Sequence, residues 1–154
     1  MKVHRMWLVG AAVLIGTLSA SAVEKKLERS ALPPAVESTV QRASAGATIK
    51  GFSTERENGK KVYEAEMIVD GHTKDIQIAV DGTLNEIEEE VPFAALPVAV
   101  QSALTARAGG AKIVKIEALT KREKLVAYEA ATFKAGKKGE IQVGPDGGKL
   151  THAE

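Results

Sequence analysis

The 154-residue chain contains no cysteine. Disulfide staples, thiolate metal sites and cysteine nucleophiles are therefore excluded. Aromatic residues make up only 4% of it, and its one tryptophan, Trp7, lies close to the N-terminus. Neither sign of charge dominates, with 21 Lys and Arg against 20 Asp and Glu. That balance gives no basic footprint of the kind nucleic acid requires. No apolar run reaches the roughly 20 residues that span a bilayer comfortably. Gly144–Leu150 (GPDGGKL) has glycines and a lysine without the spacing of a phosphate-binding loop, and no serine sits in a nucleophile-elbow pattern.

The first residues read as an address. Lys2 and Arg5 precede the apolar stretch Met6–Leu18, and Ala20-Ser21-Ala22 has the small-x-small form of a signal-peptidase site. The expectation is a secretory signal over 1–22, a linker over 23–31, and a secreted or periplasmic mature chain. The alternative is an uncleaved N-terminal anchor, which would be the chain's only membrane contact. No cysteine follows the apolar stretch to carry a lipid. Lys2, Arg5 and Trp7 leave with the signal, and the mature chain is close to neutral.

What the sequence does have is repetition. Leu32, Pro33, Ala35, Val36 and Ser38 recur in order as Leu96, Pro97, Ala99, Val100 and Ser102. Gly46, Ala47 and Ile49 recur as Gly110, Ala111 and Ile113. After one inserted residue near Lys124, Tyr63–Ala65 (YEA) returns at Tyr128–Ala130, Ile76–Ile78 (IQI) as Ile141–Val143 (IQV), and Asp81-Gly82 as Asp146-Gly147. Two tandem units follow, over 32–91 and 96–154. Each is near the lower limit for an independent core.

Each unit has the same local grammar. A proline suits the first turn of a helix, where a missing N–H costs nothing. Val36 with Val40, and Val100 with Leu104, stand four apart on one face. Glycine then stops the helix. Alternating stretches follow: Val62–Val69 puts Tyr63, Ala65 and Met67 on one side and Glu64 and Glu66 on the other, while Ile76 and Ile78 alternate with Asp75 and Gln77. Asp-Gly steps read as hairpin turns, and Asp81-Gly82 leads into a last strand over about 83–89. Ala47–Glu57 reads as a strand of ambiguous facing, because Ile49 and Phe52 have opposite parity. The fold class is α+β: twice a helix plus a four-stranded antiparallel meander, with the helices covering one face of a continuous sheet.

The Leu-Pro-x-Ala-Val helix start, the Gly-Ala step, the YEA strand and the Asp-Gly turns resemble the PepSY-like domain, also described as β-lactamase-inhibitor-protein-like. The resemblance covers nearly all of the mature chain in both copies, and its motifs are structural. It implies an extracytoplasmic, non-enzymatic module. PepSY-type domains are proposed to restrain peptidases, and the β-lactamase inhibitor binds through a concave sheet face and protruding loops. Its contact residues do not carry over, since this chain has neither its cysteines nor its aromatic-rich surface.

The residues offer few reactive groups. His4 belongs to the leader, His152 to the tail, and His72 follows an Asp-Gly turn, without the three or four converging ligands of a dedicated metal site. The carboxylate run Asn85–Val91 reads as a solvated edge ending a strand. No catalytic residue, metal site or cofactor is expected. Tyr63 and Tyr128 occupy equivalent positions and read as core, their hydroxyls reaching the rim. The opposite sheet face is the candidate binding surface. It carries Glu64, Glu66, Asp75 and Gln77 in the first unit, and Glu129, Glu140 and Gln142 in the second. The expected partner is a protein or peptide of the cell envelope. The other readings are a small metal-binding or stress protein, and an accessory protein without its own ligand.

Overall fold

Turn chemistry organises the chain. The computed structural model describes residues 25–152 and 154, so the signal segment lies outside the described residues. Strand β1 (Lys25–Leu27) precedes helix α1 (Pro34–Ala43), followed by β2 (Thr48–Glu57), β3 (Lys60–Val69), β4 (His72–Ala79) and β5 (Leu84–Glu90). Helix α2 (Val98–Ala108) then leads into β6 (Lys112–Lys121), β7 (Lys124–Lys134) and β8 (Lys137–Val143). Short 3-10 turns at Arg29–Ala31 and Phe93–Ala95 introduce the two helices.

The eight strands form one antiparallel sheet in chain order, β1 to β8. Four two-residue hairpins join β2–β3, β3–β4, β6–β7 and β7–β8. Their tips, Asn58-Gly59, Asp70-Gly71, Arg122-Glu123 and Ala135-Gly136, hold both residues at positive φ. That is the type I′ geometry whose twist matches the strands it joins. The halves meet where β5 pairs with β6, from Glu86 opposite Lys121 to Glu90 opposite Glu117.

Both helices lie on the same side of the sheet. Val36 and Val40 of α1 pack with Leu32 on Phe52, Tyr63, Ala65, Met67, Ile76 and Ile78. Val100 and Leu104 of α2 pack with Leu96 on Ile116, Ala130 and Val143. Burying each fully enclosed aliphatic side chain stabilises the fold by about 1.5–3 kcal/mol. The parity conflict between Ile49 and Phe52 is resolved by a bulge between Ile49 and Gly51, which returns both residues to the helix-covered side.

Two expectations are corrected. The segment 23–31 contains an edge strand, β1, rather than only a linker. The second half has three strands after its helix, not four: Asp146-Gly147 opens no further strand among the described residues. Asp81-Gly82 turns β4 into the antiparallel β5 as expected, and both it and Asp146-Gly147 also dock on a helix. In the first, Gly82 N–H donates to the Ala79 carbonyl and Asp81 Oδ1 accepts from Thr83 N–H. In the second, Gly147 N–H donates to the Gly144 carbonyl and Asp146 Oδ1 accepts from Gly148 N–H. Each turn presses its glycine on the start of a helix. A Cβ on Gly82 would stand 2.7 Å from the Ala35 carbonyl oxygen, and one on Gly147 would stand 2.6 Å from that of Ala99.

Candidate functional site

The helix-free face of the sheet concentrates acidic side chains. Three cross-strand rows result from the register. Glu64 stands opposite Gln77, which stands opposite Glu86, which stands opposite Lys121. Glu66 is opposite Asp75, and Asp75 opposite Glu88. Glu90 is opposite Glu117, Glu117 opposite Glu129, and Glu129 opposite Gln142. Like charges directly opposite each other destabilise a sheet, so these rows are maintained against a local cost.

Six of the seven expected surface residues fall within these rows. The seventh, Glu140, pairs with Ala131 on the outermost strand and is exposed. Tyr63 lies in the first core at 5% exposure, with the Lys61 ammonium 4.7 Å from its ring centroid. Tyr128 is partly buried against the second core. His72 begins β4 opposite Val69, its Nδ1 3.9 Å from Glu90 Oε1.

Sequence reasoning missed the centre of the surface. Glu86, Glu88 and Glu90 belong to β5, an interior strand, so the run at Asn85–Val91 is no solvated edge. Its alternation about Ile87 was the available signal. Glu117 on β6 completes the set.

Crowding shows in the acidities. Burial pushes the Glu88 carboxyl up to about 8, reinforced by the charges of Glu86, Glu117 and Glu129. Burial also raises Asp75, with Lys115 opposing and Glu117 and Glu66 adding to the shift. Glu129 is raised by burial and by Glu140, against a 2.6 Å hydrogen bond donated by Gln142 Nε2. Glu90 goes the other way: its Oε2 accepts from Thr73 N–H and Oγ1, which holds it below the usual carboxylate range.

Two lysines interrupt the acidic field. Lys115 Nζ lies 2.6 Å from Glu117 Oε1. Burial depresses Lys115, but Glu117, Asp75 and Glu90 together hold it above its ordinary value. Lys121 Nζ lies 3.5 Å from Glu86 and 3.8 Å from Glu154. The face is not wholly polar: Val62, Leu119 and Ala127 are buried on it, at 3%, 3% and 0% exposure. Toward the β2–β3 and β6–β7 tips it deepens into a groove of about 810 Å³ lined by Lys61, Val62, Gln77, Glu86, Lys121 and Arg122 among others.

Oxygens of Asp75, Glu88 and Glu117 lie within 4.8 Å of one another, a spacing compatible with a hard cation.

No family model and no curated protein matches the sequence. Solved structures do match the fold. A BLIP-like protein of Bacteroides fragilis NCTC 9343 is 21% identical with a TM-score of 0.58, over 77% of this chain and 83% of that one. A protein of Bacteroides eggerthii DSM 20697, named as periplasmic, is 16% identical with a TM-score of 0.63, over 75% and 84%. A DUF2874 family protein of Bacteroides uniformis ATCC 8492 is 14% identical with a TM-score of 0.61, over 78% and 86%. The chain has a BLIP-like fold.

Proposed function

We propose that this chain is a non-enzymatic binding module of the extracytoplasmic space that takes a Lys- or Arg-rich polypeptide segment on its acidic sheet face. One observation carries the reading: both helices lie on one side of the sheet, and the other side gathers carboxylates from β3 to β8, with Lys115 and Lys121 among them and Lys60 and Lys138 toward its margins. A basic partner would relieve the repulsion between the rows, which gives it a gain that a neutral partner lacks. The signal-like leader and the likeness to a periplasmic-named structure support the location. The PepSY-like helix starts and the BLIP-like fold support a restraining, inhibitor-like role toward an envelope peptidase, with the two halves acting as tandem units.

Fluorescence anisotropy with a labelled lysine-rich peptide tests the surface. Binding should weaken with salt and fall about ten-fold or more in Glu64→Lys with Glu129→Lys, each reversal removing an attraction and adding a repulsion. Equal binding by a correctly folded double variant overturns this surface. Capture from an envelope extract, with a peptidase as the main catch, tests the inhibitor-like role.

A metal-binding role fits less well. Among the described residues no histidine joins Asp75, Glu88 and Glu117, and the Lys115 ammonium already stands beside Glu117. A stoichiometric calcium heat, lost in Glu88→Gln, would replace the peptide reading with that one.

A further inference from the structure

The sheet has two edges, and they are not alike. At one, β1 is three residues long. At the other, β8 runs for seven residues, Lys137–Val143, and most of it is exposed. An open edge carries unpaired backbone donors and acceptors and is a template for another strand.

The hairpin at Ala135-Gly136 determines which groups are free. In a two-residue hairpin the closing residues, Lys134 and Lys137, form a hydrogen-bonded pair, and the pairs then alternate along the ladder. Gly139, Ile141 and Val143 therefore direct their backbone groups to β7. Lys138, Glu140 and Gln142 direct theirs outward. The Gln142 carbonyl confirms the phase, since it accepts from Arg107 Nη1 of α2 at 3.1 Å. Among the described residues no backbone hydrogen bond occupies the outward groups of Lys138 or Glu140. The final residues contact the far end of the strand, where Glu154 N–H donates to Gln142 Oε1.

Edge lysines normally keep such strands single. Here one register removes that protection. For two copies of β8 meeting about a two-fold axis, outward residues must face outward residues. Lys138 opposite itself sets ammonium against ammonium. Glu140 opposite itself sets carboxylate against carboxylate. Glu140 opposite Gln142 forms no ion pair. Gln142 opposite itself would need the carbonyl that Arg107 already holds. The register that pairs opposite charges places Gly139 on the axis and sets Lys138 opposite the partner's Glu140, twice by symmetry.

We propose that β8 is a self-association edge, on which a second copy of this chain pairs antiparallel through Lys138 and Glu140 to extend the sheet. The contact is short, so the dimer is weak and concentration-dependent. It would place two acidic faces side by side. The inference is independent of what those faces bind.

Sedimentation velocity on the mature chain over a wide concentration range tests this. The wild type should pass from monomer to dimer. Lys138→Glu and Glu140→Lys should each weaken association about ten-fold, because both symmetric pairs become like-charged. The double variant with both changes should restore it. Circular dichroism confirms that each variant folds, and amide exchange at Lys138 and Glu140 should slow in the dimer. A wild type that stays monomeric throughout overturns the proposal. So does a dimer indifferent to the single changes, or one that the double change fails to restore.

Discussion

Gly82 lies so close to Ala35 that a Cβ on it would meet the Ala35 carbonyl oxygen at 2.7 Å and its carbonyl carbon at 3.0 Å. The glycine also has φ +88°. Ala35 sits in the first turn of α1, so this contact fixes where the helix rests on the sheet. Gly82→Ala combines a backbone clash with an unfavourable φ and should cost about 2–4 kcal/mol. Gly147→Ala, against Ala99, should cost a similar amount. Urea denaturation measures both, and a loss under about 1 kcal/mol would show that the turn simply moves aside.

The first docking turn has a second clamp. Thr39 Oγ1 donates to the Gly82 carbonyl at 2.6 Å and accepts from Arg42 Nη2 at 2.8 Å. Thr39→Val keeps the shape but strands the carbonyl, with an expected loss of about 1–2 kcal/mol. The corresponding residue of α2 is Ala103, which has no hydroxyl to offer. Ala103→Thr is the matching gain-of-contact variant, and thermal melting shows whether it raises the transition.

The Arg122-Glu123 tip holds two non-glycine residues at φ 49° and 65°. The Asn58-Gly59 and Asp70-Gly71 tips use residues suited to that geometry. Replacing Arg122-Glu123 by Asn-Gly should stabilise the protein by about 1 kcal/mol. The Arg122 backbone bond to the Asn85 carbonyl is retained. Chemical denaturation reads the gain, and no gain would place compensating contacts at this tip.

Glu88 makes stability depend on pH. Its folded-state value, about 8, lies above the unfolded value of 4.5, so the folded chain binds the proton more tightly. Stability is full below the unfolded value, falls as pH rises between the two, and is lowest once Glu88 is ionised. Asp75 and Glu129, also raised, slope the same way. Glu90, lowered by Thr73, has the opposite sign and loses its contribution in acid. Glu88→Gln should flatten the decline across that window and leave the variant more stable than wild type above about pH 8. Melting temperatures across that range check it, and parallel curves for the two proteins would remove Glu88 as the cause.

Local patterns made much of the architecture legible. Val36 with Val40, and Val100 with Leu104, indicated two helices and the faces they bury. The alternation at Val62–Val69 gave β3 its facing. Less legible were features set by contacts distant in sequence. The bulge beside Lys50 cannot be read from parity alone, because an odd residue is absorbed only when the partner strand is known. Asp81-Gly82 is the hairpin its sequence suggests, whereas the close approach of this turn and of Asp146-Gly147 to the helix starts depends on residues distant in sequence. The central carboxylates were misread for the same reason. A run of glutamates suggests an edge, and only the pairing of β5 with β6 places Glu88 inside the sheet.

That pairing also bears on how the chain folds. Every other hydrogen-bonded neighbour in the β2–β8 meander is reached through a short turn, whereas β5 reaches β6 only after all of α2. Closing a longer loop costs more chain entropy, and this junction closes on a row that sets Glu90 against Glu117. Two locally zipped half-sheets should therefore form first and join late. Amide exchange should then find the junction opening before either half loses its own ladder.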